Sequence, residues 1–415
     1  MSIIRKFILI LLLTNSATLY AQEVLSLNKV LQEINSNHPS LKAFDSQVKS
    51  QDARVEGARS WMAPMVGAGT FMTPYPGSRV MDEADRGSWT LSAEQDIPNP
   101  AKTKAKAEYL AAQSAITRAS QAVQANELRA RAKELYYDLL VAIKKIAFQK
   151  ENQTIMGTMK KLAEIRYPFN QGSLGQVFKA EGRLYESENM ILMTRSEIRS
   201  KKIALNALMY RPVHSDFSVD TSATITFNPI VVLDESYLAE NRSDIRQMDR
   251  SIRSIELNIN QIRQEAKPDF SLRLEHMSPR FNMMPNQYTI MGMVSIPIAP
   301  WSAKMYRSEI KSMNFEREAM LLQKEGMLSE ALGMTKSMEA ELLTMQTQLR
   351  NYESKILPAL SKNLKASMLS YQENKADIST VIDGWEAVNM AQISYTEQLK
   401  KFYQMIVDYE KNIER

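Results

Sequence analysis

Apolar residues recur along this 415-residue chain at two spacings, one helical and one alternating, and the two divide the chain between them. The longest helical stretch runs from about Ala101 to Tyr167, with no proline and only Gly157 as glycine among Ala, Leu, Glu, Lys, Gln and Arg. A helix of that length would span roughly 100 Å. Within it Leu135, Leu139, Ala142 and Ile146 follow i, i+4, i+7, i+11, and Tyr136, Leu140, Ile143 and Ala147 repeat the spacing one residue on. Two adjacent seams call for neighbours on two sides, where a two-stranded coiled coil needs one. The pattern favours a curved wall or bundle. Long helices are predicted over about 99–168, 174–209, 302–372 and 377–413, with shorter ones at Leu25–Asn35 and from Ser40 to Met62, before Pro64.

The alternating stretches fall between the helices. Trp89, Leu91 and Ala93 alternate with Ser88, Thr90, Ser92 and Glu94, and Phe270, Leu272, Leu274 and His276 alternate with Asp269, Ser271, Arg273 and Glu275. Tyr288, Ile290, Val294 and Ile296 alternate in the same way with Thr289, Met291, Met293 and Ser295. Strands are predicted at about 65–73, 87–97, 269–277 and 287–296, one hairpin in each half. From Val213 to Glu235 the chain reads as strand and loop, with alternation at Thr224-Ile225-Thr226-Phe227.

The halves repeat. Asn37 and Asn241, Pro64 and Pro268, Tyr167 and Tyr371, Asn170 and Asn374, and Val177 and Val381 are each 204 positions apart. The domain organisation expected is a segment 1–21, a first repeat 22–214 and a second repeat 215–415. Four strands cannot close a barrel, since about eight are needed to enclose an interior, and an open sheet edge in lipid leaves backbone groups unpaired. The fold class predicted is mainly α with a small β-barrel contribution, the barrel being shared between chains. Three copies would supply twelve strands above a ring of twelve helices.

Residues 1–21 carry Arg5 and Lys6, an apolar run Phe7 to Leu13, and a small-residue end at Leu19-Tyr20-Ala21, which reads as a secretory signal. The apolar run is far short of the roughly 20 residues of a spanning helix. No later segment is apolar for the length of such a span, so membrane residence would have to come through strands. Cysteine is absent, which excludes disulfides and thiolate metal sites. The net charge of +5 comes from 52 basic and 47 acidic residues spread along the helices, without the basic patch of a nucleic-acid binder.

The doubled architecture, Asn37-His-Pro-Ser-Leu near the start, Glu94-Gln-Asp-Ile-Pro98 and Ser295-Ile-Pro297 at the strand-to-helix passages, and the turns at Arg166-Tyr-Pro-Phe-Asn-Gln-Gly-Ser-Leu-Gly and Ser370-Tyr-Gln-Glu-Asn-Lys-Ala-Asp together resemble the TolC family of trimeric outer-membrane efflux proteins. Members usually carry glycine where this chain has Asn170 and Asn374, and asparagine is the next most tolerant residue of a left-handed turn. The resemblance implies a homotrimer in the outer membrane of a Gram-negative bacterium, extending into the periplasm and contacting outer-membrane lipid. It implies passive conduction through a β-barrel and an α-helical tunnel whose tip opens when a periplasmic adaptor and an inner-membrane efflux pump dock. It implies no nucleic-acid partner, no cofactor and no catalysis. A different class remains open, a non-conducting periplasmic adaptor or scaffold of an export complex.

At the two turns the residues expected are Asn170, Gly172 and Asn374, with Gln176 and Lys179 in the first and Asp377, Thr380 and Asp383 in the second as candidates for the periplasmic tip. Three copies of Asp383 on a narrow axis would attract cations and repel one another; Asp383 and Asp377 could instead face water or cap a helix. Methionine is abundant, at 26 residues, with Met277, Met283, Met284, Met291 and Met293 near His276. Thioethers are soft ligands suited to Cu(I), and the heavy-metal branch is the part of the family this composition resembles; flexible apolar filling is the other role such a cluster can have. His38, His214 and His276 lie far apart in sequence, and no phosphate loop, nucleophile elbow or HExxH occurs, so an enzyme is not expected.

Overall fold

The computed structural model describes residues 23–82, 86–169, 172–221, 225–230, 232–280, 285–296 and 300–414. The expected signal segment 1–21, and Asn170, Met283 and Met284, lie outside the described residues. In chain order the elements are β1 (Val24–Leu25), α1 (Leu27–Asn37), α2 (Pro39–Gly57), β2 (Met65–Phe71), β3 (Ser88–Ile97), α3 (Pro100–Arg166), α4 (Leu174–Leu208), β4 (Ser218–Val219), α5 (Glu235–Asn241), α6 (Ser243–Glu265), β5 (Asp269–Pro279), β6 (Gln287–Ser295), α7 (Pro300–Asn351), α8 (Leu357–Gln372) and α9 (Ile378–Ile413). The chain divides into two compact units, one of Met1–Pro39, Ala125–Val232 and Gly333–Arg415, the other of Ser40–Gln124 and Leu233–Leu332. Each takes elements from both halves of the sequence.

The unit of Ser40–Gln124 and Leu233–Leu332 holds the four-stranded sheet, in the order β2-β3-β5-β6 and antiparallel throughout. Gly87 precedes β3 with φ +80°, and a Cβ there would sit 2.8 Å from the Phe71 carbonyl oxygen, so the position before β3 admits no side chain. Asn99 starts α3: its Oδ1 accepts from the Ala101 N–H at 3.0 Å while its Nδ2 donates to the Pro268 carbonyl at 3.0 Å, tying the head of α3 to the foot of β5. Lys102 adds an ion pair with Asp269 at 2.7 Å. Helix α6 turns Ile245, Ile252, Ile259 and Ile262 inward at helical spacing. Side-chain hydrogen bonds supplement this packing, from Gln113 to Ser254 at 2.9 Å and from Gln247 to Ser120 at 2.8 Å.

The other unit is built on helix packing. β1 pairs in parallel with β4, and buried Tyr136 donates to the Leu25 carbonyl at 3.0 Å, fastening the segment before α1 to α3. Helix α4 ends with Tyr210 in the left-handed region at φ 58°; Tyr210 N–H bonds to Ala207 and Arg211 N–H to Asn206, which satisfies two otherwise orphaned carbonyls. The stretch expected to be strand-like near Thr224 has no regular structure over 225–230. There Phe227 packs edge-on against Tyr409, with ring centroids 5.0 Å apart.

The helix read over 302–372 is not a uniform α-helix. A π turn at Tyr352–Ile356 separates α7 from α8, with Leu357 N–H bonding back five residues to the Tyr352 carbonyl. The cause is Pro358, which has no N–H to give and whose ring crowds the carbonyl four residues earlier; the widened turn accommodates both.

Candidate functional site

Alternation sorts the sheet into two faces of opposite character. Reading across the register, Val66, Ala68, Trp89, Leu91, Ala93, Phe270, Leu272, Leu274, Tyr288, Ile290 and Val294 share one face, which also carries His276. The other face carries the rows Gly67-Ser92-Glu275-Thr289 and Met65-Glu94-Arg273-Met291, then Asp96-Ser271-Met293. The apolar face is exposed: Val66 is 72% and Ile290 61% accessible. An apolar surface of this kind, over strands of 7 to 11 residues, is what a lipid-facing barrel wall presents. Trp89 and Tyr288 stand at the loop end of that face, with the Arg280 guanidinium 4.5 Å above the Trp89 ring. The outer strands β2 and β6 have no further strand beside them among the described residues.

Met291 and Met293 therefore share the polar face, opposite Arg273 and Ser271 on β5. His276 points to the other face, between Leu91 and Tyr288, and is not brought together with them. No group of three or more His, Cys, Asp or Glu suited to a metal occurs among the described residues.

The second cluster of candidates lies where α3 and α4, and α8 and α9, turn back. Met156, Met159 and Ala163 of α3, Val177 and Ala180 of α4, Leu364 and Tyr371 of α8, and Ile378, Val381, Ile382, Trp385 and Val388 of α9 form one buried core. Val177 and Val381, 204 positions apart, enter it as counterparts. Gly384 lets α9 approach α8 closely, since a Cβ there would already touch the Leu364 backbone at 3.6 Å. The α8–α9 turn has Asn374 at φ 62°, with Asn374 N–H bonding to Tyr371 and Lys375 N–H to Ser370.

Side chains pin the two hairpins of one chain to each other. Arg166 donates to the Gln372 carbonyl at 3.0 Å and lies 4.2 Å over the Tyr371 ring, while burial raises the Tyr371 pKa. Arg183 of α4 pairs with Glu386 of α9. Gln176 does two things: its Oε1 accepts from Ser173 N–H at 3.3 Å, closing a capping box, and its Nε2 donates to Asp377 at 2.9 Å. Asp377 occupies the N-cap position of α9 but makes no capping bond with its side chain; its Oδ1 accepts from Gln176. Gly172 lies beside the same amide; a Cβ there would meet Gln176 Oε1 at 2.9 Å. Lys179, Thr380 and Asp383 are exposed. The family resemblance points to Gln176 and the start of the last helix to Asp377, and folding joins them; Arg166 and Arg183 carry no sequence signal beyond their place near a turn.

Residues 30–209 match the family model described as outer membrane efflux protein. No curated protein matches the chain. Among solved structures, the chain is similar to the outer-membrane channel OprN, at 16% identity over 93% of this chain and 89% of that one, with a TM-score of 0.76. It is similar to CusC, whose structures concern folding and transmembrane channel formation, at 14% identity over 93% and 91% with a TM-score of 0.75. The outer membrane protein VceC from Vibrio cholerae aligns at 16% identity over 93% and 95%, with a TM-score of 0.72. At these identities the structural likenesses are ones of fold, and the family match covers residues 30–209. The resemblance read from the sequence holds: residues 30–209 carry the outer membrane efflux protein pattern, and the described chain has the fold of these channels.

Proposed function

We propose that three copies of this chain close one twelve-stranded barrel in the outer membrane, continued by a ring of long helices, and that the assembly passively conducts cargo delivered by an inner-membrane pump through a periplasmic adaptor. The observation that carries the reading is the sheet: one face apolar and exposed, one polar, and two outer strands whose backbone groups need partners. In lipid each unpaired backbone group costs several kcal/mol. Pairing β2 of one copy with β6 of the next satisfies both edges, and three copies is the number the family resemblance implies. The polar face then lines the lumen, with Glu94, Asp96 and Glu275 against the single guanidinium of Arg273. On this reading Asp383, Thr380 and Lys179 belong to the periplasmic tip, and Met291 and Met293 face the lumen where a soft metal ion could pass.

Because the chain has no cysteine, paired substitutions test the shared barrel without background. A panel combining Val66→Cys, Ala68→Cys or Thr70→Cys on β2 with Ile290→Cys, Gly292→Cys or Val294→Cys on β6, all on one face of the sheet, should give covalent trimers on oxidation, since neighbouring strands bring Cα atoms to disulfide distance. If every pair stays monomeric in membranes, the shared barrel is wrong. Recovery of the chain as soluble periplasmic protein would favour the adaptor or scaffold reading.

A further inference from the structure

A cavity of about 570 Å³ lies within the first-described helical unit, midway along α3 and α9 and beside the π turn, far in sequence from both hairpin turns. Its size suits a small organic molecule. Leu140 and Ile143 of α3, Leu349 of α7, and Leu399 and Phe402 of α9 make its apolar wall. Polar groups complete the lining. Lys144 Nζ donates to the Tyr395 hydroxyl at 2.5 Å, and that hydroxyl donates to Glu353 Oε1 at 2.5 Å, so Glu353 is already engaged. Lys144 stands a further 3.8 Å from the same carboxylate.

Arg350 lines the same cavity one turn before Glu353, and its guanidinium has no ion pair or hydrogen-bond partner among the described residues. The Tyr403 hydroxyl also lines it without a protein partner there; burial raises the Tyr403 pKa and keeps it a donor. Two cations and one carboxylate, the latter already bonded to tyrosine, thus line the cavity beside three aromatic rings. The π turn, whose geometry is common at functional sites, places Glu353 in the relay that orients Tyr395.

We propose that this cavity is a binding site for a small aromatic or amphiphilic anion, its ring packed against Tyr395, Phe402 and Tyr403 and its charged group held by Arg350 with the Tyr403 hydroxyl. The site rests on the lining of this cavity alone and does not depend on the channel reading. An anion fits where a cation does not, because the charge of Glu353, the one carboxylate among the lining residues, is offset by Lys144 while Arg350 is free to pair.

Equilibrium dialysis of the purified full chain against 2-naphthalenesulfonate, with equal detergent on both sides, tests it. The proposal expects one saturable site per chain. Arg350→Gln should weaken binding about tenfold, and Ala147→Trp, which fills the cavity from an exposed position on α3, should abolish it. The cationic probe 1-naphthylmethylamine should bind at least tenfold more weakly than the sulfonate. Circular dichroism and oligomeric mass should match the parent for both variants. Absence of saturable binding, or binding unchanged in Arg350→Gln and Ala147→Trp, overturns the site; equal binding of the two probes overturns its anion preference.

Discussion

Gln176 is where a small change should loosen the two joined helix turns most selectively. Its side chain closes the capping box of α4 through Ser173 and reaches across to Asp377 at the start of α9, so Gln176→Ala removes both bonds at once. The capping bond contributes about 0.5–1 kcal/mol. A hydrogen bond to a carboxylate contributes about 1.5–3 kcal/mol when buried, and exposure of Asp377 reduces it to about 0.5–1 kcal/mol. Together the loss is about 1–2 kcal/mol, a factor of roughly 5–30 in a local opening equilibrium. Hydrogen exchange read by mass spectrometry should therefore accelerate by that factor in peptides covering 172–182 and 372–382, with the strands unaffected. Gln176→Glu keeps an acceptor for Ser173 but sets a second carboxylate against Asp377, so it should spare the 172–182 peptides relative to alanine and not the 372–382 peptides. Changes below twofold in both variants would refute the reasoning.

Further expectations follow from other places in the fold. Trp385→Ala empties the centre of the core beneath the two helix turns at a cost of about 3–5 kcal/mol, since the indole is 2% exposed, and thermal unfolding with peptide-level exchange should register it at 360–390 first. Glu23 has its pKa lowered to about 2, first by the Arg211 hydrogen bond and then by Lys29, from an ordinary value of 4.5. Its stabilisation is complete above the ordinary value and disappears as pH falls toward 2, worth about 1 kcal/mol after allowance for the exposure of the carboxylate. Proteolysis of the segment around β1 should quicken over that window, and Arg211→Gln should flatten the dependence. Asp383→Ala should change divalent-cation block in planar bilayers, and currents identical across divalent concentrations would remove it from the tip role.

Most of the architecture is legible in the chain because its two periodicities are long and clean. The helix read at 99–168 is found as α3 at Pro100–Arg166 with a 3-10 turn behind it, and the strand alternation separates the faces of the sheet residue by residue. Asn374 adopts the left-handed geometry asparagine tolerates. What stays hidden is whatever depends on partners distant in sequence. Gln176 and Asp377 are 201 positions apart, and nothing local signals that one engages the other. In the sequence the π turn is marked only by Pro358, set inside a strongly helical composition. His276 and the methionines show a different failure: closeness in sequence grouped them, while strand parity puts His276 on the opposite face from Met291 and Met293.

The most direct test of the central claim is single-channel recording on detergent-extracted protein, with the oligomeric mass measured on the same preparation. A trimer with steady conductance, whose cation preference falls when Glu94 and Glu275 are replaced by Gln, is the predicted result. A monomer that inserts without conducting would contradict the account.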